Sequence, residues 1–113
     1  MEELRHKQHI LALHEVYTTK NNTYIITELC DNDLAKFVKK GINEVEACGF
    51  MQQIIKGYHH CIDASVIHRD LKPANLLICD GVLKIADFGF GVKVEEVGKF
   101  SKYNVGSPLY MAP

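Results

Sequence analysis

The segment from Val66 to Gly91, VIHRDLKPANLLICDGVLKIADFGFG, constrains the fold of this chain more than any other part. It holds three apolar runs, VI, NLLI and VLKIA, which have the length of strands rather than of helices. The turn CDG at 79–81 separates the last two runs and favours a hairpin. Charged residues fill the loops between the runs. The segment therefore predicts a small sheet that carries polar loops.

The residues before this segment predict a second hairpin and two helices. The runs ILALHEVYTT (10–19) and TYIITEL (23–29) are rich in β-branched and aromatic residues, and KNN between them is typical of a turn. The run DLAKFVKK ends at Gly41, which predicts a short helix. Asn43, with Glu46 three positions later, has the spacing of a capping box at the start of a longer helix. Together these patterns predict a hairpin followed by two helices.

The longer helix has apolar residues at helical spacing along one side. Its members are Ala47, Met51, Ile54, Ile55, Tyr58 and Ile62. A stripe of this kind usually packs in a core, and we expect that role here rather than a ligand-binding one.

Composition narrows the class of protein. The chain has 113 residues, 47% of them hydrophobic and 24% charged, which suits one globular domain. A net charge of −1 without single-sign blocks gives no support for a nucleic-acid or membrane-surface partner. The four cysteines lack a C-x-x-C pair and are expected to be reduced thiols. No run is long enough to span a membrane and the N-terminus is too polar for a signal peptide, so we expect a cytosolic or nuclear protein, most simply cytoplasmic.

The loops of the 66–91 segment carry groups that suit a magnesium–phosphate substrate. Asp70, Lys72 and Asn75 lie within six residues of one loop, and Asp87 opens the next loop. Mg²⁺ prefers oxygen ligands such as carboxylates, and a lysine ammonium supplies a point charge for phosphate.

Three motifs then resemble those of eukaryotic protein kinases. HRDLKPAN (68–75), DFG (87–89) and GSPLYMAP (106–113) are similar to the catalytic loop, the metal-binding loop and the end of the activation segment. Each specified position matches by chance roughly once in twenty, so this many matches in order are no accident. The resemblance implies a protein-kinase-like α+β fold. Residues 1–29 would form the end of the N-lobe and the start of the hinge, and residues 30–113 the C-lobe through the activation segment.

The resemblance implies a role for each motif residue. Asp70 would orient the substrate hydroxyl and accept its proton, and Lys72 would neutralise charge on the transferred phosphoryl group. Asn75 and Asp87 would hold Mg²⁺, and Leu77 would form the floor beneath the adenine of ATP. ATP and Mg²⁺ are therefore the implied substrate and cofactor.

In YIITELC the resemblance makes Thr27 the gatekeeper, and the backbone of Glu28, Leu29 and Cys30 the hinge that meets adenine. Asp33 is the candidate for the ribose. The stretch CDNDL is one residue shorter than the commonest kinase spacing, so the ribose assignment depends on how the chain turns there.

Substrate class also follows from the resemblance. Lys72-Pro73 and GSPLYMAP are similar to Ser/Thr kinases, so the implied partner is a protein with a serine or threonine to modify. Ser107 would then hydrogen-bond both Asp70 and Lys72. Ala74 replaces a glutamate found in kinases that prefer basic peptides, which argues against a strong arginine preference. LKIADFGF together with GSPLYMAP is most similar to the autophagy-initiating kinases.

Regulation is implied by Arg69, because an arginine before the catalytic aspartate resembles kinases switched by phosphorylation of the activation loop. The candidate acceptors are Ser101, which we prefer, and Tyr103, with Ser107 less suitable because its hydroxyl would be engaged. An upstream kinase is then a possible partner. The alternative is that Arg69 pairs with a glutamate at 95–96.

The resemblance covers less than half of a kinase domain. The glycine-rich loop, the strand lysine and the helix glutamate have no counterpart in these residues, and the first glycine is Gly41. We therefore expect a fragment of a Ser/Thr kinase that is inactive alone. The alternative is a non-catalytic kinase remnant that binds a partner protein.

Overall fold

The computed structural model describes residues 2–94 and 105–112. Its first sheet is the predicted hairpin, in which β1 (Leu13–Thr18) pairs antiparallel with β2 (Thr23–Thr27). The turn closes through Thr19, whose N–H donates to the Asn22 carbonyl at 2.7 Å and whose hydroxyl accepts from the Asn22 N–H at 3.1 Å. The turn predicted from KNN is confirmed.

Both predicted helices form. Helix α1 (Leu34–Lys39) is followed by Gly41 as expected, and helix α2 runs over Glu44–Asp63. The Asn43 side chain accepts from the Glu46 N–H and the Glu46 carboxylate accepts from the Asn43 N–H, both at 2.9 Å. This reciprocal pair satisfies two backbone donors that the first turn would otherwise leave unpaired, so the predicted capping box is confirmed.

The 66–91 segment forms the strands that its apolar runs predict. The three-stranded antiparallel sheet has the order β3 (Asn32–Asp33), β5 (Leu76–Cys79), β6 (Val82–Ile85). Asp80 and Gly81 join the last two strands with φ of 48° and 77°, the two positive values that a two-residue type I′ turn requires. A separate pair joins β4 (Val66–Ile67) to β7 (Val92–Lys93).

The core lies where α2 packs against β6. Its buried apolar members are Leu4, Ile10, Leu34, Cys61, Ala64, Val66, Leu76, Ile78, Leu83 and Ile85. Leu83 and Ile85 are fully buried on β6, and burying a side chain of this size stabilises a fold by roughly 1.5–3 kcal/mol. The strand that leads to Asp87 is thus fixed firmly in the core.

The predicted packing face of α2 was partly wrong. Met51, Ile55 and Ile62 are exposed, although Ile54 and Tyr58 do pack against the core. The side that meets the sheet also carries Phe50, Gly57 and Cys61. Apolar residues occupy more of the helix surface than one neighbour covers, so their spacing could not show which of them meets β6.

Gly57 brings α2 close to the chain that enters the hairpin. A Cβ at this position would lie 2.7 Å from the His9 carbonyl oxygen and 3.0 Å from the Ile85 side chain. Only a residue without a side chain allows this approach. The Leu11 N–H donates to the Ile85 carbonyl at 2.9 Å, which joins the same segment to the end of β6.

All four cysteines are free thiols, as expected. In residues 2–94 and 105–112, no helix is long and apolar enough to cross a membrane.

Candidate active site

The catalytic-loop residues follow β4, and a buried histidine fixes their path. His68 is fully buried, and its Nδ1 accepts from the Asp70 N–H at 3.2 Å. The other ring nitrogen therefore carries the proton and donates to the Ala86 carbonyl at 2.9 Å. The ring also packs on Phe88, with centroids 4.7 Å apart. His68 and Phe88 thus align the two loops by packing.

Asp70 lies at the centre of a network with three other side chains. Its Oδ1 accepts from the Ser107 hydroxyl at 2.7 Å, and its Oδ2 accepts from Lys72 Nζ at 2.8 Å and from Asn75 Nδ2 at 3.0 Å. Lys72 also donates to the Ser107 hydroxyl at 2.7 Å, and Asn75 donates to the Asp70 carbonyl at 2.9 Å. The structure thus brings together four of the residues that the motifs single out.

These partners determine the charge of Asp70. The Lys72 ammonium has the largest effect, followed by the Ser107 hydroxyl, and together with the Asn75 amide they outweigh burial and lower the pKa of Asp70 to about 2. Donors that bind the ionised form of a carboxyl stabilise it relative to the protonated form. Asp70 is therefore a carboxylate at neutral pH, with its oxygens held in fixed positions.

Asp87 lies beside this network because of strand pairing. Leu76 pairs with Ile85, and the Ala86 N–H donates to the Asn75 carbonyl at 2.9 Å. The backbones of Asn75 and Asp87 therefore lie on adjacent segments of the chain. Asp87 is exposed and has φ of 59°, a value that a non-glycine residue rarely adopts. An amide oxygen and an exposed carboxylate fit Mg²⁺, which takes few protein ligands and keeps phosphate and water oxygens.

The hinge residues lie between the hairpin and β3. The Leu29 carbonyl accepts from Cys79 Sγ at 3.2 Å, and the Leu29 side chain is exposed. Burial, and after it the neighbouring Cys79, raises the pKa of Cys30 to about 12, so this thiol stays protonated. Leu77 is half-buried on β5, where it pairs with Asp33 on one side.

A cavity of about 400 Å³ lies between the hairpin and the DFG loop at 87–89. Val16, Ile25 and Thr27 line it from the hairpin, and Asp87 and Phe88 line it from the loop. The predicted gatekeeper and the predicted metal ligand therefore face the same space.

Asp33 has a structural role beside the predicted contact with ribose. Its Oδ1 accepts from the Lys36 N–H at 2.8 Å and caps α1, and its Oδ2 pairs with Lys36 Nζ at 2.9 Å. An aspartate directly before a helical run is itself a capping signal, so the sequence could have shown this. The contact with ribose stays a prediction.

Arg69 lies at the junction of the catalytic loop and the activation segment. Its Nε donates to the Phe90 carbonyl at 2.6 Å. A Cβ on Gly106, which has φ of 119°, would collide with the Arg69 carbonyl, so the far end of the activation segment also packs closely here. Ser101, Tyr103 and the glutamates at 95–96 lie outside the described residues.

Sequence reasoning missed one contact of the hinge. Lys84 Nζ on β6 lies 3.1 Å from the carboxylate of Glu28. The two residues are far apart in sequence and share no motif, so no local signal could have paired them.

Comparison with known proteins agrees with this geometry. The family model described as the protein kinase domain matches residues 1–113. The SNF1-like protein kinase ssp2 of Schizosaccharomyces pombe is 41% identical over 97% of this chain and 19% of its own length. The NUAK family SNF1-like kinase 2 of Homo sapiens is 38% identical over 100% of this chain and 18% of its own length.

A rice relative adds a third comparison. The serine/threonine protein kinase OSK3 of Oryza sativa subsp. indica is 43% identical over 93% of this chain and 21% of its own length. The chain thus spans about a fifth of the length of the curated relatives it matches. A family model that matches every residue, together with these identities, shows that the chain belongs to the protein kinase domain family.

Proposed function

We propose that the protein containing this chain transfers the γ-phosphoryl group of ATP to serine or threonine hydroxyls of protein substrates. The single observation that carries the proposal is the Asp70 carboxylate held by Lys72, Asn75 and Ser107 at 2.7–3.0 Å. The names of the relatives support the same reaction, because all three are named kinases and OSK3 is named a serine/threonine protein kinase.

In this proposal Asp70 binds and orients the substrate hydroxyl. A carboxylate whose pKa is about 2 is a weak base in the ground state, so its main contribution is to hold the hydroxyl in line. It accepts the proton as the oxygen bonds to phosphorus and becomes acidic. Lys72, 2.8 Å from Asp70, places a positive charge beside the phosphoryl group in transfer.

Asn75 and Asp87 would hold Mg²⁺, which supplies charge neutralisation at the phosphate oxygens. The backbone of Glu28, Leu29 and Cys30 would bind adenine. The position of these residues between the hairpin and β3 supports the assignment.

Leu77 would contact the face of adenine, and Asp33 would reach the ribose only by leaving its bonds to Lys36. Both assignments follow from the kinase resemblance.

Activation-loop phosphorylation by an upstream kinase is part of the proposal, with Ser101 as the preferred acceptor and Tyr103 as the second. The position of Arg69 next to Asp70 supports it, because a phosphate bound there would order the segment beside the catalytic carboxylate. The bond from Arg69 to the Phe90 carbonyl already joins the arginine to the start of that segment.

The narrower assignments rest on the sequence. A cytoplasmic location is proposed from the four cysteines, which are free thiols. The similarity of LKIADFGF and GSPLYMAP to autophagy-initiating kinases has no support from the relatives above, which are named SNF1-like. The alternative of a non-catalytic remnant is less consistent with the site, since binding a partner does not require Asp70, Lys72, Asn75 and Ser107 to bond one another.

Phosphoryl transfer to a serine peptide by the full-length protein tests the proposal. Asp70→Asn and Asp87→Asn should each lower kcat by about 10²-fold or more, because the first removes the hydroxyl acceptor and the second a metal ligand. Asp63→Asn is the matched control, since Asp63 is exposed at the end of α2. Near-normal turnover in either site variant would show that the roles are wrong.

A further inference from the structure

The side chain of Glu28 joins the hinge to three other segments. Its Oε1 accepts from the Ala12 N–H at 2.7 Å and lies 3.1 Å from Lys84 Nζ. Its Oε2 lies 3.6 Å from Cys79 Sγ. The Glu28 N–H also donates to the Ala12 carbonyl at 3.0 Å, so these two residues are bonded in both directions. Binding of adenine by the hinge backbone uses none of these side-chain contacts.

The partners of Glu28 lie on opposite sides of the hinge. Ala12 directly precedes β1 and belongs to the hairpin side. Cys79 ends β5 and Lys84 lies in β6, the two strands that connect Asn75 to Asp87. One carboxylate therefore couples the hairpin, through Ala12, to strands β5 and β6 of the three-stranded sheet.

The surroundings make the Glu28–Lys84 pair stronger than a surface pair. The two side chains are only 19% and 17% exposed. Burial acts to raise the pKa of Glu28, but the Ala12 amide, the Lys84 ammonium and Cys79 together outweigh it and lower that pKa. The carboxylate is thus charged at neutral pH. Loss of one partner would leave the other charge shielded from water without compensation.

We propose that the Glu28–Lys84 ion pair is an interlobe clamp that positions the hinge backbone and thereby sets nucleotide affinity. The inference rests on the proposed function, because it assumes that nucleotide binds at the hinge. Glu28 and Lys84 are positioning residues, and neither contacts the Asp70 network. A hinge that is already ordered loses less conformational freedom when nucleotide binds, so the clamp tightens binding without acting on phosphoryl transfer.

A double-mutant cycle in the full-length protein tests the clamp. Glu28→Gln keeps an oxygen for Ala12 and removes the charge, and Lys84→Met keeps the aliphatic stem and removes the ammonium. Each single variant should raise the Kd for a non-hydrolysable ATP analogue by about 3- to 10-fold. The KM for ATP should rise by a similar factor, and kcat should change little. The double variant should be no weaker than the worse single variant, because both changes break the same pair.

Glu15→Gln is the matched control, since Glu15 is an exposed glutamate on β1, and it should bind the analogue as the unaltered protein does. Amide exchange at Ala12 should also accelerate in Lys84→Met, because the Glu28 oxygen that accepts from Ala12 loses its ion-pair partner, and this reports the clamp without any turnover. Unchanged Kd in both single variants, or additive losses in the double variant, would overturn the clamp alone. Failure of the unaltered protein to bind the analogue would overturn the proposed function and the clamp with it.

Discussion

The Ser107 hydroxyl donates to the Asp70 carboxylate at 2.7 Å and accepts from Lys72 at the same distance. This bond joins the end of the activation segment to the catalytic loop. Because the Ser107 hydroxyl bonds both the Asp70 carboxylate and the Lys72 ammonium, it fixes the positions of both side chains. The Asp70 carboxylate therefore has its final geometry only when the segment around Ser107 is in place.

Ser107→Ala should lower kcat of the full-length protein by about 10- to 100-fold. The change removes a hydrogen bond to a charged group, and bonds of this kind contribute about 1.5–3 kcal/mol. Ser107→Thr keeps the hydroxyl and is the matched control, which should retain most of the turnover. Steady-state kinetics measure both, and equal kcat in the alanine variant and the unaltered protein would contradict a catalytic effect of this bond.

The network predicts a specific acid dependence of stability. The pKa of Asp70 is lowered from 3.8 to about 2, chiefly by Lys72 and Ser107. A carboxyl whose pKa is lower in the folded state adds stability above its unfolded pKa, and that stability is lost as pH falls through the folded pKa. Between pH 3.8 and about 2, melting temperature should therefore fall more steeply in the unaltered protein than in Asp70→Asn. Parallel curves across this window would argue against the lowered pKa.

The 113-residue chain expressed alone should associate and show no kinase activity. Large apolar side chains are exposed on the hairpin and on helix α2. They include Val16, Ile25, Val45, Met51 and Ile55. Exposed apolar surface of this extent favours association in water. Size-exclusion chromatography and thermal melting measure the result. A monomer with one cooperative transition would contradict the prediction.

Phosphorylation of the activation segment should raise activity through Arg69. Ser101→Ala should abolish the rise in kcat that follows treatment with an upstream kinase, because the guanidinium then has no phosphate to bind. Tyr103→Phe tests the second acceptor, and phosphopeptide mass spectrometry shows which residue is modified. Full activity in Ser101→Ala, with no phosphate on residues 95–107, would leave Arg69 without a switching role.

Local signals in the sequence determined most of the secondary structure. The capping box at Asn43 and Glu46 and the turn at Asp80 and Gly81 involve neighbours within a few residues, so composition and spacing are sufficient to specify them. The same holds for the Asp33 cap, since an aspartate directly before a helical run is a local capping signal.

Only the tertiary structure decided which distant groups meet. The apolar stripe of α2 could not show that Cys61 would be buried and Met51 exposed, because burial depends on where β6 packs. The resemblance of the motifs to those of kinases suggested a hydrogen bond between Ser107 and Asp70. The 2.7 Å distance, however, depends on how the chain between these residues folds. Nothing in the sequence paired Glu28 with Lys84. Their ion pair requires only two opposite charges, and these are brought together by the packing of distant strands in the core.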